Sequence, residues 1–215
     1  MIFLRECRLC GSELVDGEDK FCLHCLSKLP RWLLSNDGLR AHRLPRTAPI
    51  AGVWPWLAYS NSDPFCSLIR EGKFNDRPDL IEDLSERYAD WLEAEGHLAG
   101  VEAVIPVPMH WWKRFKRGYN QAEIIAETIA DCAGIPMVKA IKAVKPHAVQ
   151  SRKTGDERAA NVRGIFALRR KDISGKHVAI VDDILTTGST LSEAINTLLK
   201  GNPASVTVLT LAATT

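Results

Sequence analysis

No uninterrupted apolar run in the 215 residues approaches the ~18 needed to cross a bilayer. A secretory signal is missing too, because Met1 to Cys10 already carries Arg5, Glu6 and Arg8. The expectation is a cytoplasmic protein with no membrane insertion. Charge imbalance is nearly absent: 28 Lys+Arg against 26 Asp+Glu leave a net charge of +2. That is too small to imply a nucleic-acid partner, so local clusters must carry any such argument. Neither an internal repeat nor a low-complexity tract is visible. What remains is ordinary globular material, 46% hydrophobic and 25% charged, enough for one full domain plus a small appendage.

Cysteine is scarce, six in all, yet four sit in two close pairs. Cys7-Arg-Leu-Cys10 and Cys22-Leu-His-Cys25 are separated by eleven residues. In a cytoplasmic chain such pairs suggest metal rather than a disulfide framework. Each pair forms a tight knuckle that aims two thiolates at one point, and four thiolates satisfy a closed, structural, tetrahedral zinc. Residues 1–34 are too few to build a core alone, so zinc bound at Cys7, Cys10, Cys22 and Cys25 would provide much of their stability. His24 is left out, because Cys22 and Cys25 already fill that half. Cys66 and Cys132 have no partners in spacing and are expected as buried apolar residues.

Three zones follow: residues 1–34 with the cysteines, a polar and basic linker over 35–47, and residues 48–215, where strand and helix patterns alternate. Gly52 to Tyr59 reads as a strand weakened by Pro55. Pro78 to Glu95 reads as a helix with Leu80, Ile81, Leu84, Tyr88, Trp91 and Leu92 on one face, closed by Gly96. Val101 to Val107 is a short apolar strand. Asn120 is placed to cap the next helix, with Glu123 completing a capping box. Gly134 and Pro136 end that helix. Val178 to Val181 has the continuous apolar character of a buried parallel strand. Leu191, Ala194, Ile195, Leu198 and Leu199 mark a helix, and Val206 to Leu211 the last strand. The fold class expected is α/β, a mostly parallel sheet flanked by helices.

The most informative segment runs from His177 through Asp182-Asp183-Ile-Leu-Thr186-Thr187-Gly188-Ser189-Thr190. It joins a buried strand, two carboxylates and a small hydroxyl-rich loop to a helix. A helix N-terminus presents unpaired N–H groups and the positive end of its dipole, Gly188 lets backbone approach a phosphate, and four hydroxyls add donors. Asp182 and Asp183 lie at the carboxyl end of the strand, where open α/β sheets place ligands. Adjacent carboxylates do not favour a phosphate; they suit ribose hydroxyls, or a metal bridging to them. A sugar phosphate meets both halves of this description. The string is not a Walker loop, since no Gly-Lys-Ser/Thr follows.

This segment resembles the motif of type I phosphoribosyltransferases that binds 5-phosphoribosyl-1-pyrophosphate (PRPP) with magnesium. By that resemblance Asp182 and Asp183 hold the ribose hydroxyls, serving catalysis in an enzyme, and Thr186, Thr187, Gly188, Ser189 and Thr190 hold the 5-phosphate. A second loop then meets the pyrophosphate: Val107, Pro108 and Met109, with Arg117 as a cation. Beyond it Lys113, Arg114, Lys116 and Arg117 interleave with Trp111, Trp112, Phe115 and Tyr119. This arm suits either pyrophosphate or single-stranded nucleic acid, unless its rings are packing residues and its cations a solvated face. Lys145 to Arg163, with Arg152 and Lys153, is a hood over the sugar phosphate, part of a nucleic-acid groove, or a plain surface loop. Arg169, Arg170 and Lys171 read as solvated. The histidines are expected to be structural or surface residues, with His110, beside the second loop, worth testing.

Pro106-Val-Pro108, Arg117-Gly-Tyr-Asn-Gln121, then Gln150, Arg158, Asn161 and Phe166, together with the order of parts, resemble the ComF family. The resemblance runs from Cys7 to about Leu211. It implies a role in DNA uptake during competence, with single-stranded DNA and uptake proteins as partners. Two readings stay open: an enzyme displacing pyrophosphate from PRPP, or a binding module that keeps the PRPP site without catalysis.

Overall fold

The computed structural model describes residues 5–33, 43–74, 77–145, 164–169 and 172–214. A short helix α1 (Leu23–Leu26) lies in the cysteine zone. The order is then β1 (Ile50–Tyr59), α2 (Pro64–Phe74), α3 (Pro78–Ala94), β2 (Ala103–Pro106), α4 (Trp111–Arg117) and α5 (Gln121–Ala133), followed by β3 (Ile141–Ala143), β4 (Phe166–Leu168), β5 (His177–Leu185), α6 (Ser189–Leu198) and β6 (Ser205–Thr214). A 3-10 turn over Leu199–Gly201 extends α6. Among the described residues no helix is long and apolar enough to cross a membrane.

Four strands form a parallel sheet in the order β1-β6-β5-β2, and β3 pairs with β4 as a separate antiparallel ribbon. Strands β5 and β6, with continuous apolar runs, take the two central positions, where both faces are buried. Pro55 is tolerated because β1 lies at the end of that order. The outer side of β1 is nevertheless covered. Trp32 N–H donates to Trp56 carbonyl at 2.9 Å, and Ala58 N–H to Pro30 carbonyl at 2.7 Å. Such covering removes a strand edge that would otherwise template aggregation.

Side-chain alternation along the strands divides the apolar core in two. Ala179, Val181, Leu209 and Leu211 pack with α3 and α5. Val178, Ile180, Val206 and Val208 pack with α6 and the β3–β4 ribbon. Helix α3 buries the face expected, from Leu80 through Leu92, and ends at Gly96 with φ +70. The ribbon was not legible, because its three-residue strands carry no readable alternation.

The capping box does not form. Asn120 caps α5 by accepting from Ala122 N–H, whereas Glu123 pairs with Arg114 at 2.8 Å and Lys139 at 3.2 Å. A nearby charge of opposite sign outcompetes a neutral backbone donor for the carboxylate. Cys132, expected buried, is exposed. It falls at the edge of α5's apolar stripe, in the last turn. Cys66 is buried, as expected.

The cysteine zone packs on α3 and α2. Cys7, Leu14, Phe21, Cys22 and Cys25 share one apolar cluster with Phe65, Leu80 and Leu84. The Phe21 and Phe65 rings lie 5.6 Å apart. Arg8 Nε and Lys20 Nζ reach the buried Asp83 carboxylate at 2.8 and 3.3 Å.

Candidate functional site

Strand β5 carries its acids to the carboxyl edge of the sheet. Asp182 still pairs in register with Thr210 of β6, and the strand runs on to Leu185. Thr186 to Gly188 form the turn, so Ser189 and Thr190 already belong to the first turn of α6. Gly188 is the N-cap residue with φ +73. A Cβ at this position would overlap the Arg43 carbonyl. Glycine is therefore needed here for its backbone angle and for the Arg43 chain, as well as for any phosphate. Arg43 is fixed in turn: its guanidinium donates to Thr214 carbonyl at 2.7 Å, and its own carbonyl accepts from Ser192 Oγ at 3.0 Å. The Thr187 and Ser189 hydroxyls lie 3.1 Å apart beside the turn.

Both carboxylates bend back onto the next backbone N–H. Asp182 Oδ1 accepts from Asp183 N–H at 2.9 Å, and Asp183 Oδ1 from Ile184 N–H at 2.7 Å. The second Asp183 oxygen accepts from Lys73 Nζ at 2.7 Å. Lys73 comes from the last turn of α2, and the Asp183 side chain is 13% exposed. Burial, followed by the adjacent Asp183 charge, pushes Asp182 up to about 7. Burial also works against Asp183, but the Lys73 ammonium and the Ile184 N–H outweigh it and hold Asp183 below its ordinary range. Asp183, ahead of all other influences, raises Lys73 in return. One acid is thus ionised against a cation while its neighbour stays close to neutral pH.

The second loop lies against the same strand. Val107 N–H donates to the carbonyl of Val181, the residue before Asp182, at 2.9 Å. The Val107 carbonyl accepts from Asn120 Nδ2 at 3.0 Å. Asn120 thereby ties the loop that includes Pro108 and Met109 to the start of α5.

The basic arm divides. Burial first, then Arg117 and Lys73, lower the Lys113 ammonium pKa. Arg117 Nη1 donates to the buried Gln121 amide oxygen at 2.9 Å. Arg114 is taken up by Glu123, and Lys116 lies 5.5 Å over the Trp112 ring. Trp111 is 67% and Phe115 80% exposed on α4. Among the described residues, neither belongs to the packed core. His110 caps α4, its Nδ1 accepting from Trp112 N–H at 3.3 Å.

The four paired cysteines converge: their sulfurs all lie within 4.8 Å of one another. Cys10 and Cys22 Sγ are 3.7 Å apart. Zinc–sulfur bonds of ~2.3 Å in a tetrahedron require sulfurs about 3.8 Å apart, so this donor set fits the ion. Cys7 Sγ accepts from Cys22 N–H, and Cys22 Sγ from Cys25 N–H, each at 3.4 Å. Such N–H···S bonds favour thiolates. His24 is not in the cluster.

Sequence reasoning missed Lys73 and Arg43. Lys73 stands 110 positions before its partner and belongs to no motif. Arg43 was read as part of a linker. Gln150, Arg152, Lys153, Arg158, Asn161 and Arg163 of the hood, with Arg170, Lys171, His42 and His147, lie outside the described residues.

A family model described as "Phosphoribosyl transferase domain" matches residues 116–214. The chain is similar to "Competence protein F" of Haemophilus influenzae, 36% identical over 46% of this chain and 44% of that protein. "Competence protein ComFC" of Bacillus subtilis is 32% identical over 50% of this chain and 43% of its own length. In both cases the match spans less than half of the relative. "DNA utilization protein YhgH" of Escherichia coli aligns more widely, 25% identical over 94% of each chain.

Proposed function

This chain has a phosphoribosyltransferase-like fold related to the ComF competence proteins, and from that premise we propose that it binds PRPP with magnesium at the end of β5. The observation that carries the reading is one acidic pair beside one hydroxyl-rich helix start, with the Val107 loop anchored to the same strand. Asp182 and Asp183 accept from the ribose hydroxyls. Thr186 to Thr190 and the N-terminus of α6 take the 5-phosphate. Val107 to Met109, Lys113 and Arg117 meet the pyrophosphate. Magnesium, when bound, neutralises phosphate charge. Displacement of pyrophosphate from PRPP by an acceptor is the reaction such a site supports.

Residues 1–34 are read as a structural zinc unit held by Cys7, Cys10, Cys22 and Cys25, with 35–47 as a linker and 48–215 as the PRPP-binding domain. Zinc supplies a closed tetrahedral cross-link between the two knuckles. Kinship with competence and DNA-utilization proteins supports a role in handling incoming DNA.

Calorimetry of the zinc-loaded protein with PRPP and magnesium is the test, alongside the variant Asp182→Asn, Asp183→Asn. Saturable binding in the wild type and its loss in the double variant is the expected result. A wild type that does not bind would sink the reading. The exposed rings of α4 then favour a second function, stacking of single-stranded DNA on Trp111, Trp112 and Phe115.

A further inference from the structure

Lys73 is the one cation of the site drawn from α2, far outside the matched family region of residues 116–214. Its ammonium bonds Asp183 at 2.7 Å, and the side chain as a whole is 29% exposed, so it is not sealed in the core. The position presents a conflict. Asp183 Oδ1 accepts from Ile184 N–H and Oδ2 from Lys73, so a ribose hydroxyl arriving at Asp183 must share an oxygen with one of these donors or displace it. Arg117 joins Lys73 in favouring the charged form of Asp183. Two cations, Lys73 and Arg117, therefore act on Asp183, while its neighbour Asp182 is pushed up to about 7.

We infer that Lys73 is a ligand-exchanging cation: it neutralises Asp183 in the free protein and transfers to the pyrophosphate end of the sugar phosphate when a ribose hydroxyl takes its place on Asp183. The inference rests on the reading of this site as a PRPP site. An ammonium suits the exchange better than a guanidinium. It is a compact charge on a flexible stem with three rotatable donors, and it changes partners without the fixed fork that ties an arginine to one carboxylate. The exchange also keeps the Asp183 carboxylate hydrogen-bonded throughout. Asp183 loses a cation only when it gains a hydroxyl donor, and the phosphates gain that cation as they arrive.

The proposal makes the two ends of the ligand respond differently to loss of Lys73. Lys73→Met keeps most of the stem and removes the charge; Lys73→Arg keeps the charge and fixes its geometry. Each would be titrated calorimetrically with PRPP, inorganic pyrophosphate and ribose 5-phosphate in the presence of magnesium, with thermal melts to confirm folding. For Lys73→Met the expected result is a loss of about tenfold or more in affinity for PRPP and for pyrophosphate. Its affinity for ribose 5-phosphate should be unchanged or improved, because Asp183 Oδ2 has been freed. Lys73→Arg should recover part of the pyrophosphate affinity. Equal losses for ribose 5-phosphate and pyrophosphate would overturn the proposal and leave Lys73 as a fixed partner of Asp183. So would no loss for either. A wild type that binds none of the three compounds would instead refute the PRPP reading itself. If Lys73→Met proves unfolded, Lys73→Arg alone decides: pyrophosphate affinity lowered with ribose 5-phosphate affinity retained supports the exchange, and any other pattern rejects it.

Discussion

Gly188 and Asp182 show how individual residues are bound to the site's geometry. At Gly188 a positive φ coincides with the approach of the Arg43 carbonyl. Gly188→Ala should cost about 1–3 kcal/mol of stability, read as a shifted denaturant midpoint, and should abolish phosphate-end binding. At Asp182 the folded pKa of about 7 stands well above the ordinary 3.8. Between these values the folded chain holds a proton that the unfolded chain releases. Stability contributed at this residue therefore falls as pH rises from about 3.8 to 7 and stays lower above. Asp182→Asn removes the penalty. Its melting temperature should exceed that of wild type at pH 8 by roughly 2–4 °C per kcal/mol recovered, with a smaller gap at pH 5.5. Asp183 has the opposite sign. Its lowered pKa contributes stability above the ordinary value, and this is lost as pH falls through the folded value.

Helix α4 is an element whose two sides serve different ends. Arg117 acts on the Asp183 carboxylate, whereas Trp111, Trp112 and Phe115 are exposed. Replacing Trp111 and Phe115 with serine should change stability by no more than about 0.5 kcal/mol and leave PRPP affinity unchanged. If α4 stacks single-stranded DNA, the same variant should lose roughly 1–3 kcal/mol per ring of oligonucleotide binding. Fluorescence anisotropy with a labelled oligonucleotide over a salt series checks both points. Unchanged DNA affinity would remove α4 from any such role.

For the whole molecule, the cysteine knuckles and the acidic pair are in contact with opposite ends of α2. Phe21 beneath the cysteines touches Phe65 near the start of α2, and Lys73 on Asp183 closes the end of the same helix. A chelator strong enough to strip zinc should release about one ion per chain, lower the melting temperature, and weaken PRPP binding through displacement of α2. Phe21→Ala should act in the same direction, by about 3–5 kcal/mol. Metal release followed colorimetrically during a thermal melt checks the first point. Unaltered PRPP affinity in the stripped protein would show that α2 stands independently of the knuckles.

What the sequence by itself determined was whatever is encoded within about a dozen neighbouring residues. The CxxC pairs, the strand–Asp-Asp–Thr-Thr-Gly–helix string and the apolar face of α3 were legible because local spacing dictates knuckle, turn and helix. Glu123 was misread because its choice between a backbone donor and two cations is made in space, one of them, Lys139, beyond the far end of the helix that Glu123 begins. Cys132 was misread because burial depends on what covers a helix's last turn. Only the tertiary structure could bring Lys73 to Asp183 across 110 positions, lay Arg43 over Gly188, and turn Arg117 toward Asp183 but Arg114 toward Glu123. Those decisions follow from the crossovers of a parallel sheet, which bring distant segments together at the carboxyl ends of its strands.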